Sequence, residues 1–147
     1  MRSMTLLIDS NVILNSLCKR ELYYKSASQV IELCKTSFYS GYIAFHTLPT
    51  IWYVLRKQQI PNRRELLLNL TDFLIVANAT HQEVVDAIRN EAFVDFEDCL
   101  QEKCALSVQA DYIITENAKD FIASAIPAVS ATDFLKMLCQ AQAGGEL

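Results

Sequence analysis

Carboxylates are unevenly spread along this 147-residue sequence, and several stand where they could act together. Asp9 ends the apolar run Leu6-Leu7-Ile8. Asp95, Glu97 and Asp98 lie within one helical turn of each other. Thr115, Glu116, Asn117 and Asp120 follow a second apolar run, Tyr112-Ile113-Ile114. Like charges a few Å apart raise each other's pKa, so carboxylates that meet in space need something to offset their repulsion. A hard divalent cation does so, and Mg2+ or Mn2+ prefers oxygen ligands. Each acid also has a plain structural use. Asp9 can end a strand, and Asp98 can cap a helix and favour its dipole. Asn117 and Asp120 can form a turn. Glu97 can be a solvated first-turn acid and Asp111 a loop acid.

Other chemistries find less support. His46 and His81 are distant and lack ligand spacing. Five cysteines, Cys18, Cys34, Cys99, Cys104 and Cys139, include no CxxC pair; they read as reduced core thiols, not as a zinc site or a disulfide framework. The three glycines are Gly41, Gly144 and Gly145. A Walker loop and a GxGxxG turn both need closely spaced glycines around phosphate, so both are excluded.

The elements that must position these acids alternate between strand and helix. Apolar runs at 5–9, 41–45, 74–78, 112–115 and 127–129 read as short strands. Spacings of three and four residues predict helices over 11–17, 26–38, 47–57, 62–74, 81–92, 95–108 and 130–140. Asn62 and Thr80 are N-cap candidates, Thr80 with Glu83 as a capping box, and either Ser130 or Thr132 caps the last helix. This alternation implies a three-layer α/β/α domain with a short, mainly parallel central sheet. One domain spans 1–147, with its core at about 5–135 and a flexible tail at 141–147. In such sheets ligands bind beyond the carboxyl ends of the strands, which is where Asp9 and the 115–120 segment fall. Asp111 falls at the opposite end.

Charge is divided between the two halves. Residues 1–64 carry nine Lys/Arg and three Asp/Glu, whereas 65–147 carry four and fourteen. The division hints at a polyanion-facing surface beside an acidic site. The basic set Arg56, Lys57, Arg63 and Arg64 surrounds one helix–helix turn and could grip phosphates or simply be a solvated helix end. Trp52 reads as core or dimer surface. The apolar run before Asp9 is too short for a signal peptide. The 66–79 stretch, broken by Asn69 and Asp72, falls short of the ~18 apolar residues of a membrane span. The expectation is a cytoplasmic protein with no membrane contact.

Three segments together carry a resemblance: Leu6-Leu-Ile-Asp-Ser-Asn-Val-Ile-Leu14, Asp95-Phe-Glu-Asp98 through Cys104-Ala105, and Asp111-Tyr-Ile-Ile-Thr-Glu-Asn-Ala-Lys-Asp-Phe121. In their order the sequence resembles the PIN domain, in particular prokaryotic PIN domains of the VapC-toxin-like group, over roughly 5–135. The resemblance implies a metal-dependent endoribonuclease, plausible as the toxin of a toxin–antitoxin pair. Asp9, Asp98 and Asp120 would hold Mg2+ or Mn2+, and Asn117 with Asp120 would orient the attacking water. Ser10, Asn11 and Thr115 would support them. It also implies an RNA substrate, a homodimer for which the helices after the second strand are a possible surface, and a possible antitoxin partner.

Two departures qualify the likeness. Most PIN domains carry a further acid near the start of the helix after the second strand, yet no Asp or Glu occurs between Glu32 and Glu65. Thr50 occupies that place, and Glu97 is the acid that could compensate. Glu116 stands where the subgroup commonly has Arg. The alternative is therefore a PIN-like module without catalysis that binds RNA or protein. A phospho-receiver domain is disfavoured, because Asp9 is followed by Ser10 and Asn11 and not by a second acid.

Overall fold

Leu6, Leu7 and Ile8 have no exposed surface at all, which places their strand in the middle of a sheet covered on both faces. The computed structural model of the protein describes residues 3–144. That strand is β1 (Met4–Ile8), followed by β2 (Tyr39–Ala44), β3 (Leu74–Ala77), β4 (Tyr112–Ile114) and β5 (Ala128–Val129). They form one five-stranded sheet in the order β3-β2-β1-β4-β5, and every pair is parallel.

Seven α-helices are described: α1 (Ser10–Leu17), α2 (Tyr24–Leu33), α3 (Leu48–Lys57), α4 (Arg63–Thr71), α5 (His81–Arg89), α6 (Phe96–Ser107) and α7 (Ala131–Ala143). Side chains alternate across the sheet, and so do their partners. Leu6 and Ile8 pack with Val12, Ile13, Ala27, Val30, Ile51, Leu55 and Phe134 from α1, α2, α3 and α7. Leu7 and Ile113 pack with Ala87, Cys99, Leu100, Cys104 and Ala105 from α5 and α6. The first two crossovers step one way along the sheet, and the third steps back over β1. A constant crossover hand then puts α5 and α6 on the other face. The result is the expected α/β domain of three layers. No described helix is long and apolar enough to cross a membrane.

Local chemistry sets most boundaries where the sequence places them. The Thr80–Glu83 capping box forms in full, Pro49 sits in the first turn of α3, and Ser130 caps α7. Asp111 accepts the Thr5 amide at 2.8 Å and pins the amino end of β1 to β4.

Four expectations need correction. The 26–38 helix runs instead over Tyr24–Leu33. The Phe38 carbonyl is taken by the Met4 amide at 3.0 Å, so the chain must leave the helix to enter the sheet, and the Phe38 side chain is exposed. Asn62 precedes α4 in a left-handed conformation, φ 59°, and its side chain makes no cap bond. Helix α7 continues to Ala143, past the start of the expected tail; 145–147 lie outside the described residues. Among the cysteines, Cys34, Cys99 and Cys104 are buried, but Cys18 is only half-buried and Cys139 is exposed on α7.

Gly41 marks the tightest approach between sheet and helix layer. A Cβ there would lie 2.5 Å from Leu74 Cδ2, 2.7 Å from Cys34 Sγ and 2.8 Å from Cys34 Cβ. The Cys34 Cβ belongs to the turn after α2 and cannot rotate away. Overpacking of this kind costs about 1–3 kcal/mol. Gly41→Ala is expected to lower stability by that amount in urea titration, and an unchanged midpoint would refute the close contact.

Candidate active site

Strand order reverses at β1. One crossover from β1 leads to β2, and β4 returns to its other side. Such a switch point leaves a crevice outside the carboxyl ends of the two strands. Asp9 follows β1 there, and Thr115 follows β4.

Asp9 is 6% exposed, so its charge must be met by donors. Its Oδ1 accepts the Ser10 amide at 2.6 Å, the Gln101 amide Nε2 at 2.9 Å and the Ser10 hydroxyl at 3.3 Å. Its Oδ2 accepts the Thr115 hydroxyl at 2.7 Å and Asn11 Nδ2 at 3.3 Å. The same carboxylate is the N-cap of α1. Thr115 has no exposed surface. Its Oγ1 also accepts the Asn117 amide at 3.1 Å, so one hydroxyl joins Asp9 to the segment that carries Asp120. Asn11 adds a second tie, because its Oδ1 accepts the Glu116 amide at 3.2 Å.

Helix α6 brings the remaining acids. Asp95 is its N-cap and accepts the Glu97 amide at 2.9 Å. Capping is thus done by Asp95, and Asp98 is not spent on it. Three residues beyond Asp98, on the same helix face, Gln101 reaches Asp9. Glu102 is buried and accepts the Ala125 amide at 2.7 Å. That bond clamps α6 to the loop after the 3-10 turn Ala118–Phe121, on which the exposed Asp120 sits.

The acids feel one another. Asp98 is pushed up to about 7, first by burial and then by the charges of Asp95, Asp9, Asp120 and Glu97. Glu97, more exposed, moves the same way through partial loss of solvent, then through Asp95 and Asp9. Asp9, Asp98 and Asp120 therefore share one field although three separate elements carry them.

His46 lies in the 3-10 turn Phe45–Thr47 at the carboxyl end of β2. Both its ring nitrogens are buried, and neither makes a hydrogen bond of good geometry. Burial lowers its pKa, while the Glu97 backbone and the Asp9 charge pull the other way. Thr50, on the exposed first turn of α3, is not among the hydrogen-bond partners of Asp9. The post-β2 residue that senses Asp9 is His46. Glu116 turns towards α7 instead: burial raises its pKa, the Ala131 backbone opposes that, and Asp133 adds to it. Arg63 and Arg64 stack over Trp52 at 5.2 and 5.4 Å, while Arg56 and Lys57 stand exposed in the last turn of α3.

Gln101 is the site residue that the sequence reading missed. Its position three residues after Asp98 is the one available signal.

Among the described residues, no three His, Cys, Asp or Glu side chains stand ready to grip a metal ion directly. The donor set nonetheless fits a hard cation in kind. Its members are carboxylates, and burial together with the charges of its neighbours raises Asp98. Beside them, the buried Oε1 of Gln101 has no partner. Asp9, Asp98 and Asp120 are the residues that could hold such an ion.

A stability consequence follows from Asp98. Its folded pKa is raised, so folding favours its protonated form. That contribution is complete below the ordinary carboxylate pKa and is lost as pH rises through about 7. Asp98→Asn is expected to raise the melting temperature of the metal-free protein at pH 8 and to flatten its decline between pH 5 and 8. Thermal melts across that range check this, and parallel curves for the two proteins would contradict it.

Comparison with known proteins agrees with this architecture. No curated protein sequence matches. Among solved structures, the chain is similar to one in a toxin–antitoxin complex from Klebsiella pneumoniae. The TM-score is 0.64 at 18% identity, covering 86% of this chain and 97% of that one. A chain of VapBC2 from Rickettsia felis, bound to a DNA fragment from its promoter, gives 0.64 at 15% identity, covering 86% and 98%. PAE2754 from Pyrobaculum aerophilum gives 0.64 at 14%, covering 93% and 96%. At these identities the likeness is one of fold. The sequence itself matches the PIN domain family model over residues 5–119, most of the chain, including Asp9, Asp98 and Thr115 and ending one residue before Asp120, and the chain therefore belongs to the PIN domain family.

Proposed function

We propose that this protein is a metal-dependent ribonuclease that hydrolyses RNA phosphodiesters, and that it acts in the cytoplasm as the toxin of a toxin–antitoxin pair. The observation that carries the reading is the shared field of Asp9, Asp98 and Asp120 at the switch point of the sheet. Membership of the PIN family supports the nuclease. Similarity in fold to chains from a toxin–antitoxin complex and from VapBC2 supports the antitoxin partner. A homodimer belongs to the same proposal.

Asp9, Asp98 and Asp120 would hold Mg2+ or Mn2+ through hard oxygen atoms. A bound divalent ion lowers the pKa of a water and steadies negative charge on phosphate. The rest is the work of the chain. Thr115, Ser10, Asn11 and Gln101 fix the Asp9 carboxylate by hydrogen bonds, so it need not reorganise when substrate arrives. Asn117 and Asp120, both exposed at the crevice mouth, would orient the attacking water. The Glu97 carboxylate, with Asp95 and Asp9 in its field, would supply negative charge that this chain lacks at Thr50.

A second reading is favoured by one specific feature, the acid-free stretch from Leu33 to Arg64. It describes a PIN-like module that binds RNA or protein without cleaving. Two measurements separate the readings. The purified protein is expected to cleave single-stranded RNA with Mn2+ and to stop on adding EDTA, with Asp9→Asn reducing the rate at least about a hundredfold. Calorimetry should show Mn2+ binding that Asp98→Asn weakens. Cleavage that survives both EDTA and Asp9→Asn would sink the nuclease assignment. Absence of Mn2+ binding at millimolar metal would favour the non-catalytic module.

A further inference from the structure

The turn between α3 and α4 concentrates positive charge, four cations against the single carboxylate of Glu65. Arg56, Lys57, Arg63 and Arg64 fall within nine consecutive residues. Among the described residues none of them is paired with a carboxylate, whereas Lys35 is paired with Glu32. Both Arg63 and Arg64 lie over the Trp52 ring, at 5.2 and 5.4 Å from its centre. A guanidinium held over an aromatic ring by its charge keeps N–H groups for other partners. Arg63 Nη1 bonds the Ile60 carbonyl at 3.0 Å, and its buried Nε has no partner. Beside them a cavity of about 390 Å³ is lined by Trp52, Asn62, Arg63, Arg64 and Glu65.

We infer that this turn is a second contact for the RNA backbone, in which Trp52 holds two arginines over its ring so that their N–H groups, with Arg56 and Lys57, meet phosphates. The inference rests on the RNA-cleaving reading above. Planar forks match phosphate oxygens in pairs. Helix α3 spans ten residues, about 15 Å, and its other end meets the His46 turn beside Asp9. A strand whose phosphate reaches the acid cluster can therefore lay neighbouring phosphates on this turn. An acidic peptide is the rival occupant, because the adjoining groove includes Leu48, Pro49, Leu67 and Leu68. The four cations, two of them held over the Trp52 ring, favour a regularly charged backbone over an apolar anchor. Trp52 acts as a positioning residue and not as a platform for bases.

The test uses the full chain carrying Asp9→Asn, in EDTA, so that RNA stays intact. A fluorescein-labelled oligouridylate is titrated by anisotropy at several salt concentrations, and tryptophan emission is followed with unlabelled RNA. Trp52 is the only tryptophan, so that emission reports this turn alone. RNA is expected to change it. Arg56→Gln with Arg64→Gln, both at exposed positions, should weaken binding about tenfold at low salt and reduce the salt slope by ~0.7 per lost phosphate contact. Trp52→Leu removes no charge yet should weaken binding, and Trp52→Phe should restore most of it, with melting curves unchanged for the arginine variants. An unaltered salt slope overturns the inference. So does displacement by poly-glutamate as effective as by RNA, or emission that follows protein concentration instead of RNA. If wild-type protein cleaves RNA with Mn2+ while these signals are absent, this surface fails and the nuclease stands. If they are present without cleavage, the reverse holds.

Discussion

The Asp9 carboxylate is almost fully buried at the end of a central strand, and five donors from four residues converge on it. Hydrogen bonds to a charged group contribute roughly 1.5–3 kcal/mol each, and leaving such a group without them costs more. The arrangement works only if β1, β4, α1 and α6 meet at one point. Ser10 and Asn11 come from the start of α1, Thr115 from the end of β4, and Gln101 from the second turn of α6. The fold can thus be read as the set of connections that bring these four places together. The Asp111–Thr5 pairing at the far end of the same two strands fixes their register, so the carboxyl ends arrive level.

What the donors give Asp9, the neighbouring acids take back. Asp98 is raised to about 7, first by its own burial and then by the field of four carboxylates. A protein selected for stability alone would not keep Asp98 ionisable there, since a neutral residue would escape both its burial cost and its neighbours' charges. The clamps around the cluster make sense in that light. Asp95 takes over the cap of α6, Glu102 ties α6 to the Ala125 loop, and Thr115 binds both Asp9 and the Asn117 amide. Each holds an acid-bearing segment against repulsion that would otherwise spread it.

How much of this was legible in the residues depended on whether the deciding interaction was local. Asp9 was legible because an apolar run ends on it, and the Thr80 and Ser130 caps because their partners lie three residues on. Asp98 could be placed on a helix start, but whether it capped that helix could not be read until Asp95 was seen to do so. Gln101 stayed hidden, since a polar residue between Leu100 and Glu102 gives no sign of facing a strand end more than ninety positions away. The end of α2 was misread for a related reason: its apolar period continues to Phe38, but the Met4 amide claims that carbonyl for the sheet. Thr50 takes the place of the missing acid in the sequence, and in the structure the 3-10 turn at Phe45–Thr47 presents His46, one turn earlier, to the field of Asp9.

The division of charge along the chain takes on meaning in the folded molecule. Of the acids of the second half, Asp95, Glu97 and Asp98 at the start of α6 and Asp120 on the β4–β5 connection are those whose charges meet at the crevice. Leu33 to Arg64, without a single acid, supplies β2, α3 and the turn into α4. A crevice lined only by carboxylates repels a phosphate backbone over a Debye length of about 8 Å at physiological salt. A cationic turn lying about 15 Å along α3 sits outside that distance, so its attraction is not cancelled by the cluster. Within the crevice a divalent ion can reverse the sign locally. On the proposed ribonuclease reading, Thr50 in the place of an acid would have two opposed effects, one fewer ligand for an ion and one fewer charge against a phosphate backbone. In this chain the balance is struck with a neutral-leaning His46 at the one edge of the cluster that faces the basic half.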